Sequence, residues 1–314
     1  MLDDKLFIFI IGCPRSGTTW LQAMLGQNPK VCTLSELKLF DFYTASWIKA
    51  WRDQMEIQKR GNLTGLPIVW TEDDFYEFLR EFLRKIYTLV LKTKPGASVI
   101  IDKTPAYALY VEDINRLVPN CRFIHVLRDG RDVGLSLRAA SKGWGNGWAP
   151  DDIEAAGQMW KKMVLGAKSA EKFRGRYLEI QYEEILSNGP KALKDVYDFI
   201  GIPTDIQELE KLIHDNTIEK MRQKQGEGKT LYRANDFFRK GSSGQWRDAM
   251  TPTDRYRFDK VSGDLLRELG YANEDWWIAH WYERYAVPLR IFVSTKRRHL
   301  RSVARAMRTL ISVG

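Results

Sequence analysis

Short apolar runs alternate with longer segments of helical periodicity along most of this chain. The runs are rich in β-branched and aromatic residues, which is typical of buried strands. They predict five strands, over residues 6–11, 31–34, 98–102, 122–127 and 177–181. Apolar positions at helical spacing predict helices over residues 16–25, 73–92, 129–142, 151–174 and 190–200. Strands that alternate with helices favour an α/β fold with a central parallel sheet flanked by helices.

Two segments fit this alternation poorly. Residues 40–70 and 143–150 lack a clear strand or helix period and are predicted to form lids or loops. They contain Trp47, Trp51, Trp144 and Trp148, which could line a pocket or pack in the core.

The first predicted strand runs through a glycine-containing loop into a helix. Gly12 and Gly17 stand five residues apart, as in the phosphate loop of nucleotide hydrolases, and Thr19 matches the final hydroxyl of that motif. Thr18 replaces the lysine of that motif, and the cation, Arg15, lies inside the loop instead. A loop of this kind aims backbone amides and a helix N-terminus at a phosphate. The sequence therefore predicts a single P-loop-like domain over residues 1–275.

Polar side chains follow each predicted strand at its carboxyl end. These are Arg15, Glu36, Lys103, Arg128 and Tyr182. Open parallel sheets bind ligands along that edge, so five such residues predict one site.

Composition narrows the class of protein. Hydrophobic residues make up 44% of the chain and charged residues 28%, as in soluble globular proteins. Three cysteines without paired spacing argue against a disulfide framework and against a zinc site, and we expect no metal. The acidic N-terminus, followed by a short apolar run, is unlike a secretory signal, so a cytoplasmic protein is expected.

The basic charge is concentrated in the last residues. Residues 286–314 hold seven Lys or Arg and no acidic residue, and without them the formal charge of +9 falls to +2. A nucleic-acid partner, which favours basic charge over a folded face, is therefore not expected. Residues 276–314 are predicted to be an aromatic and basic tail that ends in an amphipathic helix over 296–313. Such a tail fits peripheral contact with the inner membrane surface, or a helix docked on the domain or on a second subunit.

Three motifs resemble those of sulfotransferases that use 3′-phosphoadenosine 5′-phosphosulfate (PAPS). Pro14-Arg-Ser-Gly-Thr-Thr-Trp-Leu21 is similar to their 5′-phosphate loop, and Arg128-Asp-Gly-Arg-Asp-Val-Gly-Leu-Ser136 to their 3′-phosphate motif. Phe238-Arg-Lys-Gly-Ser-Ser-Gly-Gln-Trp246 resembles the stretch that closes over the nucleotide. The three occur in the family's order, over roughly residues 5–271.

The resemblance implies PAPS as co-substrate and a set of nucleotide-binding residues. That set is Arg15, Ser16, Gly17, Thr18 and Thr19 at the 5′ end, Arg128, Ser136, Arg239, Lys240 and Gly241 at the 3′ end, and Trp20 and Tyr182 at the adenine. Arginine suits the 3′-phosphate because its guanidinium binds oxyanions with two parallel bonds. Trp20 could instead be a core aromatic, and Arg128 and Ser136 a surface ion-pair partner and an ordinary helix hydroxyl.

The resemblance also suggests three catalytic residues. Arg15 and Lys103 are expected to stabilise the transferring sulfuryl group, with Arg15 acting electrostatically because a guanidinium stays charged. The cytosolic members have a histidine two residues after the equivalent of Lys103, where this chain has Pro105. Lys103-Thr-Pro-Ala-Tyr107 instead resembles the carbohydrate and protein-tyrosine enzymes, whose general base is a glutamate. Glu36 matches that position, although it could be a helix cap or a surface carboxylate.

The predicted function is transfer of a sulfuryl group from PAPS to a hydroxyl of a small molecule, a glycan or a lipid. The oligomeric state stays open. Two alternatives remain, a P-loop kinase of small molecules and a nucleotide-regulated membrane-binding protein. His125 lies inside a predicted strand and is expected to be a core residue.

Overall fold

The computed structural model describes Leu2, residues 4–226 and 241–293, and Lys296. Within them, one parallel sheet contains β1 (Leu6–Ile11), β2 (Val31–Thr33), β3 (Val99–Lys103), β4 (Arg122–Leu127) and β5 (Tyr177–Gln181). The strand order is β2-β3-β1-β4-β5, so β1 lies at the centre with β3 and β4 beside it. All five carboxyl ends therefore meet at one edge.

Helices cover both faces of the sheet. Their bounds are α1 Thr18–Leu25, α2 Ala45–Lys59, α3 Glu72–Lys92, α4 Val111–Leu117, α5 Gly130–Ala140, α6 Ile153–Lys168, α7 Tyr182–Ser187, α8 Gly189–Phe199, α9 Ile206–Asp215, α10 Ile218–Gly226, α11 Trp246–Ala249 and α12 Pro252–Glu268. Residues 283–293 are also helical. This is the predicted α/β architecture.

The core has two layers because successive strand residues point to opposite faces of a sheet. Phe9 and Ile11 of β1 pack in the layer that includes α3, α6 and α12. Ile8 and Ile10 pack in the layer that includes α1, α8 and α9. All four side chains are fully buried, so the continuous apolar run of β1 reflects a strand covered on both faces.

The prediction of loops over residues 40–70 is wrong for residues 40–59, whereas residues 60–70 form turns and irregular backbone with one short 3₁₀ turn. A single π-helical turn, Leu39–Thr44, leads into the 15-residue helix α2. Only Ile48 and Trp51 of α2 are buried, and so narrow an apolar stripe gives a weak helical period. Trp51 stacks on Phe75 of α3 at a ring distance of 4.6 Å, which makes it a core residue.

Helix α6 is shorter than the sequence pattern predicts. It ends at Lys168, and the rest of the predicted helix contains a 3₁₀ turn, Ser169–Lys172. Residues 143–150, which precede α6, form turns and bends without helix or strand, as predicted.

Packing of the domain continues past residue 275. The Trp276 ring lies edge-on to Trp246 at 5.5 Å, and its indole nitrogen donates to Asp259 Oδ1 at 2.7 Å. The side chains of Glu283 and Val287 are also buried. The division at residue 275 stays a prediction, and the predicted helix over 296–313 lies outside the described residues apart from Lys296.

Candidate active site

The loop between β1 and α1 requires glycine at two positions. Gly12 has φ +144°, and a Cβ there would lie 2.6 Å from the Val126 carbonyl oxygen. Gly17 has φ +99°, and a Cβ there would lie 2.5 Å from the Tyr182 ring. Gly17 is also the N-cap of α1 and supplies no side-chain cap. The first-turn amides of α1 thus receive no side-chain cap from Gly17, which fits the anion site that the sequence predicts.

Arg15 joins this loop to α5. Its backbone adopts φ +76°, a conformation that is uncommon for a residue with a side chain. The Arg15 Nε donates to Ser136 Oγ at 3.0 Å, and the Arg15 carbonyl oxygen accepts a bond of 2.9 Å from Arg128. The Arg15 guanidinium also lies 5.3 Å from the centre of the Trp144 ring. The structure therefore brings together the predicted residues of the 5′ and 3′ anion sites.

Lys103, Glu36 and Thr19 form a second cluster. The ammonium of Lys103, on a fully buried side chain, donates to Glu36 Oε1 at 2.7 Å and to Thr19 Oγ1 at 3.1 Å. Thr19 belongs to α1, Glu36 follows β2, and Lys103 ends β3. The predicted base and the predicted second cation are thus in direct contact beside the phosphate-loop motif.

Arg128 is buried at the carboxyl end of β4. Its guanidinium lies 4.2 Å from the centre of the Tyr182 ring and donates to the Ser242 carbonyl oxygen at 3.0 Å. Its Nε is buried and has no hydrogen-bond partner in the part of the chain that the structure describes. An orphaned arginine N–H at this edge fits a site for an anion.

The third motif is only partly described. Gly241 has φ +62°, whereas the predicted phosphate ligands Arg239 and Lys240 lie outside the described residues. Asp132 of α5 anchors the described part, because its carboxylate accepts from the Gly244 amide at 2.6 Å and from the Trp246 amide at 3.0 Å. Burial raises the pKa of Asp132, and these amide bonds oppose that shift. Sequence reasoning missed this role, for which the only signal is an acidic residue inside the second motif.

The aromatic residues divide between core and surface. Trp20 is 4% exposed, and its indole nitrogen donates to the Asn216 carbonyl oxygen at 2.7 Å, which fits the core alternative. Tyr182 is buried against Trp20, with 5.7 Å between the ring centres. Trp148 is 42% exposed and lies 5.4 Å from Trp144. The contacts of Trp20 and Tyr182 with adenine stay predictions.

His125 is a core residue. Its Nδ1 lies 2.9 Å from the Tyr177 hydroxyl and 3.1 Å from Glu179 Oε2, and burial lowers its pKa. These contacts lie between β4 and β5, away from the Lys103 cluster.

Asp102 is a buried carboxylate that sequence reasoning did not single out. Its Oδ2 accepts bonds from the hydroxyls of Tyr87 and Tyr107. Burial raises its pKa to about 7, and the two hydrogen bonds oppose that shift. Only its position directly before Lys103 could have drawn attention to it.

Comparison with known proteins identifies the chain. Residues 8–206 match the Sulfotransferase family. The chain belongs to this family. A putative protein-tyrosine sulfotransferase of Caenorhabditis briggsae is 27% identical over 216 residues, which cover 67% of this chain and 69% of that protein. Protein-tyrosine sulfotransferase 2 of Gallus gallus is 26% identical over 62% of this chain, which spans only about half, 51%, of that relative.

Solved structures agree on the fold of this sulfotransferase. Mouse sulfotransferase SULT7A1 complexed with PAP matches with a TM-score of 0.56 and 20% identity, over 84% of this chain and 86% of that one. The sulfotransferase domain from the curacin biosynthetic pathway matches with a TM-score of 0.56 and 19% identity, over 85% and 98%. The predicted family, enzyme class and α/β fold are confirmed.

The described part of the chain contains neither a metal-binding cluster nor a membrane-spanning helix. Residues 4–226 and 241–293 contain no group of three or more His, Cys, Asp or Glu side chains placed to hold a metal ion. In the same residues, no helix is long and apolar enough to cross a membrane.

Proposed function

We propose that this sulfotransferase moves the sulfuryl group of PAPS to the hydroxyl of an acceptor. The observation that carries the proposal is the contact of Lys103 with both Glu36 and Thr19, because it joins a cation and a carboxylate to the phosphate-loop motif. PAPS has phosphate groups at two ends and therefore needs two anion sites. The mouse sulfotransferase SULT7A1 forms a complex with PAP, the desulfated product of PAPS, which supports this choice of co-substrate.

The chain has groups suited to each end of the nucleotide. The amides of residues 16–19 and the hydroxyls of Thr18 and Thr19 would hold the 5′ end. The orphaned Nε of Arg128 and the hydroxyl of Ser136 would face the 3′-phosphate, together with Arg239, Lys240 and Gly241. Arg15 lies between the two groups, since it touches Ser136 through its side chain and Arg128 through its backbone.

Each proposed catalytic residue has one task. The Glu36 carboxylate takes the proton of the acceptor hydroxyl while the acceptor oxygen forms its bond to sulfur. The bond between sulfur and the 5′-phosphate oxygen breaks, and its electron pair leaves on that oxygen with PAP. Lys103 and Arg15 stabilise the charge that builds on the transferring group and on the departing oxygen. The products are a sulfated acceptor and PAP.

The direct test is turnover of PAPS by the purified chain with a panel of acceptors that includes phenols, tyrosine peptides, sugars and lipid alcohols. We expect a product heavier by one SO₃ and an equal amount of PAP, with no requirement for Mg²⁺. Phosphorylation of the same acceptors by ATP and Mg²⁺ would favour the kinase alternative.

An apolar helix face supports peripheral membrane contact as a second property. Tyr285, Leu289 and Phe292 lie at helical spacing in the helix over residues 283–293 and are 70%, 63% and 56% exposed. Trp281, in the turn before this helix, is 82% exposed. The sequence around and after this face carries seven Lys or Arg and no acidic residue over 286–314. Exposed aromatic and apolar side chains beside basic charge fit an anionic lipid surface.

A further inference from the structure

A buried hydrogen-bond chain connects β3 to the segment that follows β2. The Tyr107 hydroxyl donates to Asp102 Oδ2 at 3.2 Å, and the Leu39 amide donates to the Tyr107 oxygen at 2.7 Å. Asp102, Tyr107 and Leu39 are 3%, 0% and 3% exposed. These hydrogen bonds therefore lie in the protein interior, where hydrogen bonds constrain geometry more strongly than at the surface.

Both ends of this series of hydrogen bonds lie close in sequence to proposed catalytic residues. Asp102 precedes Lys103 on β3, and neighbouring strand residues face opposite sides of the sheet. Lys103 thus reaches Glu36 on one side, while Asp102 reaches Tyr107 on the other. Leu39 follows Glu36 by three residues. The segment that carries Glu36 is consequently attached to β3 at two points.

The direction of these hydrogen bonds follows from the single proton that a phenol can donate. A phenol has one proton to donate, and Tyr107 gives it to the buried carboxylate of Asp102, so a lone pair remains for the Leu39 amide. Leu39 is the first residue of the helical turn Leu39–Thr44, and its amide has no partner within that turn. The residue before it, Lys38, has φ +54° and provides no side-chain cap. Loss of the Tyr107 hydroxyl would leave this buried amide unsatisfied.

We propose that Tyr107, oriented by Asp102, is a positioning residue that holds the Glu36 carboxylate in register with Lys103. The inference rests on the proposed function, since it gives Glu36 the role of base. The Tyr107 hydroxyl bonds to Asp102 and to the Leu39 amide, so it acts on Glu36 through the backbone at Leu39. Its hydroxyl therefore governs the rate of the transfer step and not the binding of PAPS.

The protein offers a matched control in Tyr87. The Tyr87 hydroxyl donates to the same Asp102 oxygen at 2.9 Å, but it does so from α3 and not from the residues beside the site. Tyr87→Phe and Tyr107→Phe each remove one hydroxyl from one buried carboxylate. Only Tyr107→Phe also removes the acceptor of the Leu39 amide.

The test compares the two variants in the full chain. Misplacing a catalytic group by about 1 Å can cost on the order of 10²-fold in rate, so we expect Tyr107→Phe to lower kcat by about that factor. We expect Tyr87→Phe to keep kcat within about threefold of wild type, because the Tyr107 link remains. The KM for PAPS and the affinity for PAP should be unchanged in both. The melting temperature should fall further in Tyr107→Phe, because that variant also leaves the buried Leu39 amide without its acceptor. Hydrogen exchange at the Leu39 amide should accelerate in Tyr107→Phe alone.

Equal losses of kcat in the two variants would overturn the inference, as would wild-type kcat in Tyr107→Phe. If Tyr107→Phe does not fold, Asp102→Asn and Asp102→Ala provide the comparison. Asparagine keeps an oxygen that accepts from Tyr107, so it should retain much of the kcat that alanine loses, and equal losses would again overturn the inference. Absence of PAPS turnover in the wild type would instead contradict the proposed function, on which the inference depends.

Discussion

Replacing the Glu36 carboxylate with a carboxamide separates its chemical role from its structural role. Glu36→Gln keeps the shape of the side chain and an oxygen for Lys103, but it removes the group that accepts the proton. General-base catalysis contributes about 10²–10⁴-fold, which corresponds to about 3–5 kcal/mol of activation free energy. We therefore expect kcat to fall by 10²-fold or more, while the affinity for PAP stays close to that of the wild type.

The effect of Glu36→Gln on stability should be much smaller. Glu36 is 28% exposed, so solvent screens part of its 2.7 Å ion pair with the buried Lys103. The carboxamide oxygen can still accept from Lys103, and Thr19 Oγ1 remains 3.1 Å from the ammonium. The loss should be about 1–2 kcal/mol, the difference between a charged and a neutral hydrogen bond. In a chain of this size that lowers the melting temperature by only a few degrees.

The assay is steady-state turnover of PAPS with calorimetric titration of PAP, and Asp41→Asn is the matched control. Asp41 lies five residues after Glu36 in the same segment, so its substitution also exchanges one carboxylate for an amide there. We expect Asp41→Asn to keep kcat within about threefold of wild type, since Asp41 is assigned no proton transfer. Normal turnover by Glu36→Gln would refute the assignment of Glu36 as base. Equal losses in the two variants would mean that the segment needs its charge and not that particular carboxylate.

Three further predictions concern other parts of the molecule. Gly17→Ala should weaken PAP binding by tenfold or more in calorimetry, because its Cβ would lie 2.5 Å from an aromatic ring, whereas Gly61→Ala, also at positive φ but with open space around it, should not. Asp102 has a pKa of about 7 in the folded state and about 4 in the unfolded state, so the folded state binds its proton more tightly. The free energy of unfolding should therefore fall as the pH rises from about 4 to about 7. Asp102→Asn should lack this component, which is on the order of 4 kcal/mol, in denaturant titrations across that range; an unchanged pH profile would contradict it. Leu289→Asp should weaken sedimentation with phosphatidylserine vesicles by about tenfold, while Leu89→Asp, another exposed leucine, should leave it unchanged; equal effects would count against membrane contact.

The central strands could be predicted from sequence because they are buried on both faces. Strands β1 and β4, which lie inside the sheet, have the predicted bounds, and β3 is displaced by one residue. Helix α2 was missed because just two of its fifteen residues are buried, which leaves little apolar period to detect. A strand that is buried on both faces can be recognised from its continuous apolar run. A mostly exposed helix cannot be recognised from its local sequence pattern in this way, because few of its residues are apolar and buried.

The residues of the candidate site also divide into those that the sequence could predict and those that it could not. Arg15, Lys103, Glu36 and Arg128 could be named because each follows a predicted strand, and the topology of a parallel sheet brings such ends together. Asp132 and Tyr107 could not, because their importance lies in bonds to backbone amides of segments distant in sequence. Which amide a side chain meets is decided by tertiary packing, and no spacing rule encodes it.

The most direct measurement of the proposed reaction is the mass of the product formed from PAPS. The wild-type chain, incubated with PAPS and the acceptor panel in the presence of a metal chelator, should yield an acceptor heavier by one SO₃ together with an equal amount of PAP. Glu36→Gln should bind PAP but form product at least a hundredfold more slowly. Folded, PAP-binding wild-type protein that sulfates none of the acceptors, or that forms product only from ATP and Mg²⁺, would contradict the proposed function.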